Sequence, residues 1–215
     1  AIERFGSDKP DLRYGMELFD VTAETRDSEF LPFRVAHVKG ICAAGCASYT
    51  RKQADELTDF ARQQGAKGLV VLWHDPDGIR NTGAGAKLSQ AEKDGIVAKA
   101  GSQPGDLILL VADDDRRAAN TVLGELRHEL GERLKLADDG VMAFAWIVDF
   151  PLFEWNTEEK RWDPSHHMFT APKDEYLPSL EQDPGSVRSK QYDLVCNGYE
   201  VGGGSIRIHR RDVQE

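Results

Sequence analysis

Between residues 115 and 135, Ala119, Val122, Leu123, Leu126, Leu130 and Leu134 recur with helical spacing and define one apolar face of a long helix. A second helix is expected over residues 51–64, with Ala54, Leu57, Phe60 and Ala61 on one side. Thr50 suits its N-cap, and Gly65 or Gly68 its end. Two short apolar runs, Gly68-Leu-Val-Val-Leu-Trp73 and Leu107-Ile-Leu-Leu-Val111, read as buried strands, the first closed by the turn Asp75-Pro-Asp-Gly78. Phe30-Leu-Pro-Phe-Arg-Val-Ala-His-Val38 is a further strand candidate. Strands interleaved with two helices need one another to bury their apolar faces, so residues 21–140 are expected to form an α+β, two-layer unit.

The flanks differ in character. Residues 1–20 centre on Gly6-Ser7-Asp8-Lys9-Pro10-Asp11-Leu12-Arg13, where proline removes an amide donor and biases Lys9 toward extended backbone, as in a turn or loop. Residues 78–105 are glycine-rich and weakly patterned. They contain Gly83-Ala-Gly85-Ala-Lys87 without the Gly-Lys-Ser/Thr of a phosphate loop, so a loop with short helical pieces is expected. In residues 141–215, Met142-Ala-Phe-Ala-Trp-Ile-Val-Asp149 reads as a central strand. The adjacent His166 and His167 cannot both face one side of an extended chain.

Charge narrows the function. Lys and Arg number 27 against 37 Asp and Glu, a net −10, which is no signature of a general nucleic-acid binder. Any contact with a polyanion needs a local basic patch, and Arg207, His209, Arg210 and Arg211 are one candidate. Three cysteines, Cys42, Cys46 and Cys196, make no disulfide framework and fit a reducing cytosol. The run of residues 193–209 concentrates chemistry: Asp193 and Glu200, then Gly202, Gly203 and Gly204, then Arg207 on an alternating segment. Carboxylates can hold Mg²⁺ through hard oxygens, glycines let backbone approach a ligand, and arginine offers a fork for carboxylate or phosphate. A β-hairpin with a glycine-rich turn and ordinary surface charges is the plain alternative. Cys42-x-x-x-Cys46 has a zinc-like spacing but no second Cys or His pair to match it, and no spacing supports zinc among His166, His167, His209 and Cys196.

Four motifs in order, Arg4-Phe-Gly-Ser-Asp-Lys-Pro-Asp-Leu-Arg13, Asp149-Phe-Pro-Leu-Phe-Glu-Trp155, His166-His-Met-Phe-Thr-Ala-Pro172 and Asp193…Gly-Tyr-Glu200-Val-Gly-Gly-Gly-Ser-Ile-Arg-Ile-His209, strongly resemble bacterial-type aspartyl-tRNA synthetases of class II. The resemblance implies an internal piece of such an enzyme: a catalytic-core segment at 1–20, an insertion (GAD-like) domain at 21–140, and a core segment at 141–215. It implies a mainly antiparallel insertion sheet with two main helices, beside partial strands of an antiparallel core. It also implies ATP-dependent activation of L-aspartate, transfer to tRNA, a homodimeric parent in the cytoplasm without membrane association, and a fragment nearly inactive alone. Residue by residue, Asp193 and Glu200 resemble the Mg²⁺-ATP carboxylates. Arg207, His166 and His167 resemble aspartate-binding groups, and Gly202, Gly203 and Gly204 the pocket floor. Ser7, Asp8 and Lys9 lie in a near-site motif without assigned roles. The family usually carries proline where this chain has Met168, which would leave His166 less firmly held. The rival readings are a non-catalytic insertion module that binds tRNA or a partner protein, and an unrelated Mg²⁺-dependent phosphoryl-transfer enzyme.

Overall fold

The computed structural model describes residues 1–81 and 83–214; Thr82, in the glycine-rich stretch, and Glu215, the end of the third zone, lie outside the described residues. The chain forms two compact units, Ala1–Val141 and Met142–Glu215.

In the first unit, β1 (Phe19–Asp20), β2 (His37–Ala43), β3 (Val70–Asp75), β4 (Gly78–Asn81) and β5 (Leu107–Asp113) form one antiparallel sheet in the order β1-β2-β5-β3-β4. Helices α2 (Arg51–Gln63) and α4 (Arg116–Leu134) cover one face. Ala119, Val122, Leu123, Leu126 and Leu130 of α4 are buried there against Ile41, Val71, Trp73, Leu107, Leu109 and Val111, and Leu134 packs at the margin. Thr50 caps α2 in a capping box with Gln53, and Gly65 follows its end at φ +103. The α+β, antiparallel character expected from the sequence is present.

The opposite face is covered as well, which the two-helix pattern did not reveal. Val38, Val70, Leu72, Ile108 and Leu110 lie beneath Val21, Phe30, Phe33, Leu88 and Ile96. Ile96 belongs to α3 (Gln90–Ala100), a regular helix where short helical pieces were expected. Its start is fixed by a capping box between Ser89 and Glu92. The strand expected over residues 30–38 is corrected too. Pro32 opens a 3₁₀ turn, Leu31–Phe33, that sets the Phe30 and Phe33 rings edge to face at 5.1 Å, and β2 begins only at His37.

Residues 1–20, expected as a separate core strip, pack here within the first unit. The short helix α1 (Ile2–Phe5) ends at Gly6, φ +72, whose backbone meets α4 at Gly124. A Cβ on Gly124 would lie 2.5 Å from the Gly6 carbonyl oxygen, so only glycine permits this approach. The buried Arg127 lies 5.0 Å from the Phe5 ring and 5.3 Å from that of Tyr14, and donates to the carbonyls of Asp11 and Gly15. Lys39, buried on β2, donates to Glu3 Oε2 at 3.0 Å and to Asn120 Oδ1. A buried ammonium requires such partners.

In the second unit, β6 (Phe144–Ile147), β9 (Gln191–Cys196) and β10 (Tyr199–Ser205) form an antiparallel sheet in the order β10-β9-β6, beside the hairpin of β7 (Phe153–Asn156) and β8 (Arg161–Pro164). The central strand is β9. Strand β6, expected to be central, pairs only with β9 among the described residues and leaves Phe144 and Trp146 exposed.

Candidate functional site

The site grows from the β9–β10 hairpin. Its turn is Asn197-Gly198, with φ +52 and +85, the left-handed pair that a two-residue turn needs to match strand twist. The three glycines therefore lie inside β10 and not in the turn. Glu200 pairs with Val195, Gly202 with Leu194 and Gly203 with Asp193, so Val201 is the extra residue of a bulge. Directly paired residues share a face and alternate residues of one strand share a face. Glu200, Val195, Asp193 and Gly203 consequently occupy the same side of the hairpin.

Asp193 is the buried carboxylate of this group, at 7% exposure, and lies between Ile147 and Gly203 on the neighbouring strands. A Cβ on Gly203 would lie 2.4 Å from Asp193 Oδ1, so this glycine makes room for the carboxylate over the β10 backbone. Gln191 Nε2 donates to the same oxygen at 3.0 Å. Gly204 leaves room for the Tyr192 ring in the same manner, whereas a Cβ on Gly202 would meet nothing within 4 Å. Among the described residues, no group of three or more His, Cys, Asp and Glu side chains is placed to hold a metal ion. A two-carboxylate face still suits Mg²⁺, which keeps several waters and shares its remaining positions with phosphate oxygens.

Arg207 follows β10, pairs with Thr170 across an isolated bridge, and is exposed. Its guanidinium carbon lies 4.4 Å from the centre of the Phe169 ring. The same ring stacks on His167, with centroids 5.1 Å apart and planes 7° from parallel. His166 instead meets the Phe150 ring edge to face at 5.1 Å. A bond from Thr170 N to His167 O, 3.0 Å, closes a turn with the exposed Met168 at its first central position. Hydrogen bonding thus holds the loop that proline would stiffen. The buried Thr170 also donates to Ser205 Oγ at 3.2 Å, which ties this segment to the end of β10.

Sequence reasoning passed over two contributors. Phe169 sat inside a motif read for its histidines, and its value as a flat platform emerges only once Arg207 arrives from a distant strand. Asp149, with φ +63, pairs with Lys173, and that hydrogen bond raises the lysine pKa above its ordinary value. Asp149 opens one quoted motif and Lys173 directly follows another, but no local pattern links them. Ser7, Asp8 and Lys9 belong to the first unit, where Ser7 Oγ accepts from Lys9 N at 3.0 Å.

The family model described as tRNA synthetases class II (D, K and N) matches residues 1–215. The chain belongs to that family. Among similar proteins are the aspartate–tRNA(Asp/Asn) ligases of Moorella thermoacetica, 50% identical, and of Dehalococcoides mccartyi, 46% identical. The aspartate–tRNA ligase of Agathobacter rectalis is 46% identical. Each match covers 100% of this chain, which spans 36%, 38% and 37% of the respective relatives.

Proposed function

We propose that this chain is the part of an aspartate–tRNA ligase that contributes the aspartate-binding and Mg²⁺-ATP-binding groups of the active site. The reading rests most directly on the hairpin register, because it gives Asp193 and Glu200 a common face beside a glycine-backed strand that runs on to Arg207. Identity of 46–50% along the whole chain to ligases named for aspartate supports it.

In the reaction, the α-carboxylate of aspartate attacks the α-phosphorus of ATP, and the bond to the β-phosphate oxygen breaks to release pyrophosphate. A ribose hydroxyl of tRNA then attacks the carbonyl carbon of the adenylate and expels AMP. No protein nucleophile takes part, so the side chains position groups and balance charge. Asp193 and Glu200 would hold Mg²⁺, which supplies charge neutralisation at the phosphates. Arg207 would pair its planar fork with the side-chain carboxylate of aspartate, and the neutral amide of asparagine would leave one donor facing another. His166 and His167 would close over the bound amino acid, with Gly202, Gly203 and Gly204 as the floor. Ser7, Asp8 and Lys9 are carried as near-site residues of the same enzyme. The proposal includes a homodimeric, cytoplasmic parent. No helix among the described residues is long and apolar enough to cross a membrane.

Aspartate-dependent ATP–pyrophosphate exchange, measured on the product of the full open reading frame, tests the assignment. Glu200→Gln should lower exchange at least a hundredfold with little change in melting temperature. Exchange equal to wild type would remove Glu200 from the Mg²⁺-ATP site.

A further inference from the structure

We infer that Phe169 is a positioning residue that aims Arg207 at the substrate carboxylate and couples it to His167; this rests on the aspartate-site reading above. Arg207 is exposed, and among the described residues no side-chain hydrogen bond or ion pair holds its guanidinium, so little else restrains it. Its carbon lies 4.4 Å from the Phe169 ring centre, well inside the range of cation–π attraction. His167 lies flat on the same ring, 7° from parallel. The segment that carries the ring is tied down along its backbone. Ile208 N donates to Phe169 O at 2.9 Å, Ala171 N donates to Ile206 O at 2.8 Å, and the buried Thr170 donates to Ser205 Oγ.

These bonds fix the backbone from which the ring projects beside the end of β10, and the ring, 47% exposed, presents its π surface to Arg207 and His167. A guanidinium resting on that surface keeps its plane, and its in-plane N–H groups then point outward at one angle. Two parallel hydrogen bonds to a carboxylate need that constancy, whereas a single charge attraction does not. Phe169 thereby preorganises the fork without touching the substrate.

The test is exchange kinetics on the product of the full open reading frame, with Phe169→Leu, Phe169→Tyr and, as a reference, Arg207→Lys. Leucine keeps the bulk of the side chain and removes the π face; tyrosine keeps both. Phe169→Leu should raise KM for aspartate about tenfold and leave KM for ATP within twofold of wild type. Phe169→Tyr should restore the aspartate KM. An unchanged aspartate KM in Phe169→Leu, while Arg207→Lys raises it, overturns the role of Phe169 alone. Equal rises in both KM values, or a tyrosine variant as impaired as leucine, means loop distortion and also overturns it. An Arg207→Lys enzyme with normal aspartate KM overturns the aspartate-site reading, and the role of Phe169 falls with it.

Discussion

Single atoms decide which glycines of β10 matter. A methyl group at Gly203 would meet the Asp193 carboxylate at 2.4 Å, and the same group at Gly202 would meet nothing within 4 Å. Gly203→Ala should therefore displace Asp193, raise KM for ATP and cost about 1–3 kcal/mol of stability, while Gly202→Ala should alter both far less. Urea titration with exchange kinetics on both variants checks the contrast; equal effects would contradict it. Met168 occupies the position of its turn where proline is favoured. Met168→Pro should add about 0.4–1 kcal/mol by restricting the unfolded chain, and a lower urea midpoint would mean that the turn differs from the one described. Cys42, only half-buried, has its thiol pushed up to about 11, first by burial and further by the neighbouring Asp106. It should resist alkylation by iodoacetamide at pH 8 in the native protein. Rapid modification of Cys42 there would contradict this environment. At this scale the sequence was informative about which residues carry chemistry. It was silent about Phe169, because a ring becomes a platform only when another strand delivers a cation to it.

Elements were legible where one apolar face dominates and obscure where it does not. Helix α4 declared itself through five fully packed positions, and α2 through its cap and its small inward residues. Helix α3 buries only Ile96 completely, so its apolar pattern is faint, and the Ser89–Glu92 capping box was the available signal. Strand β2 was hidden because the buried Lys39 and Gly40 interrupt its apolar run. Gly40 is required there, since a Cβ would lie 2.6 Å from Leu110 Cδ2 and 2.7 Å from Leu109 O. The same packing logic joins α1 to α4. Gly124→Ala should cost about 1–3 kcal/mol, because the opposing Gly6 carbonyl is backbone and cannot swing aside. A melting temperature unchanged from wild type would show that the two segments do not pack so closely. In the hairpin, Asn197-Gly198 is a readable turn signal, but the triple glycine that follows carries the same composition cue.

At the scale of the whole molecule, Asp11 links acid stability to the packing of the first twenty residues. Burial alone would raise its pKa, but hydrogen bonds from the Arg13 side chain and backbone hold it below the ordinary carboxylate value. A folded-state pKa below the unfolded one stabilises the protein above the usual carboxylate range, and that contribution fades as pH falls through the depressed value. Urea midpoints measured from neutral pH downward should decline more steeply in wild type than in Asp11→Asn; parallel curves would contradict the linkage. The family was readable from motif order along the chain. The covered second face of the sheet was not, because it is assembled from Val21, Phe30, Leu88 and Ile96, which lie far apart in sequence and share no periodicity. The central claim concerns catalysis by a polypeptide of which this chain matches about a third of the relatives' length. The most direct measurement is ATP–pyrophosphate exchange by the product of the full open reading frame, assayed separately with each of the standard amino acids. Exchange that requires aspartate and is not supported by asparagine is the predicted result. Exchange driven by another amino acid, or none from a well-folded protein, would contradict the claim.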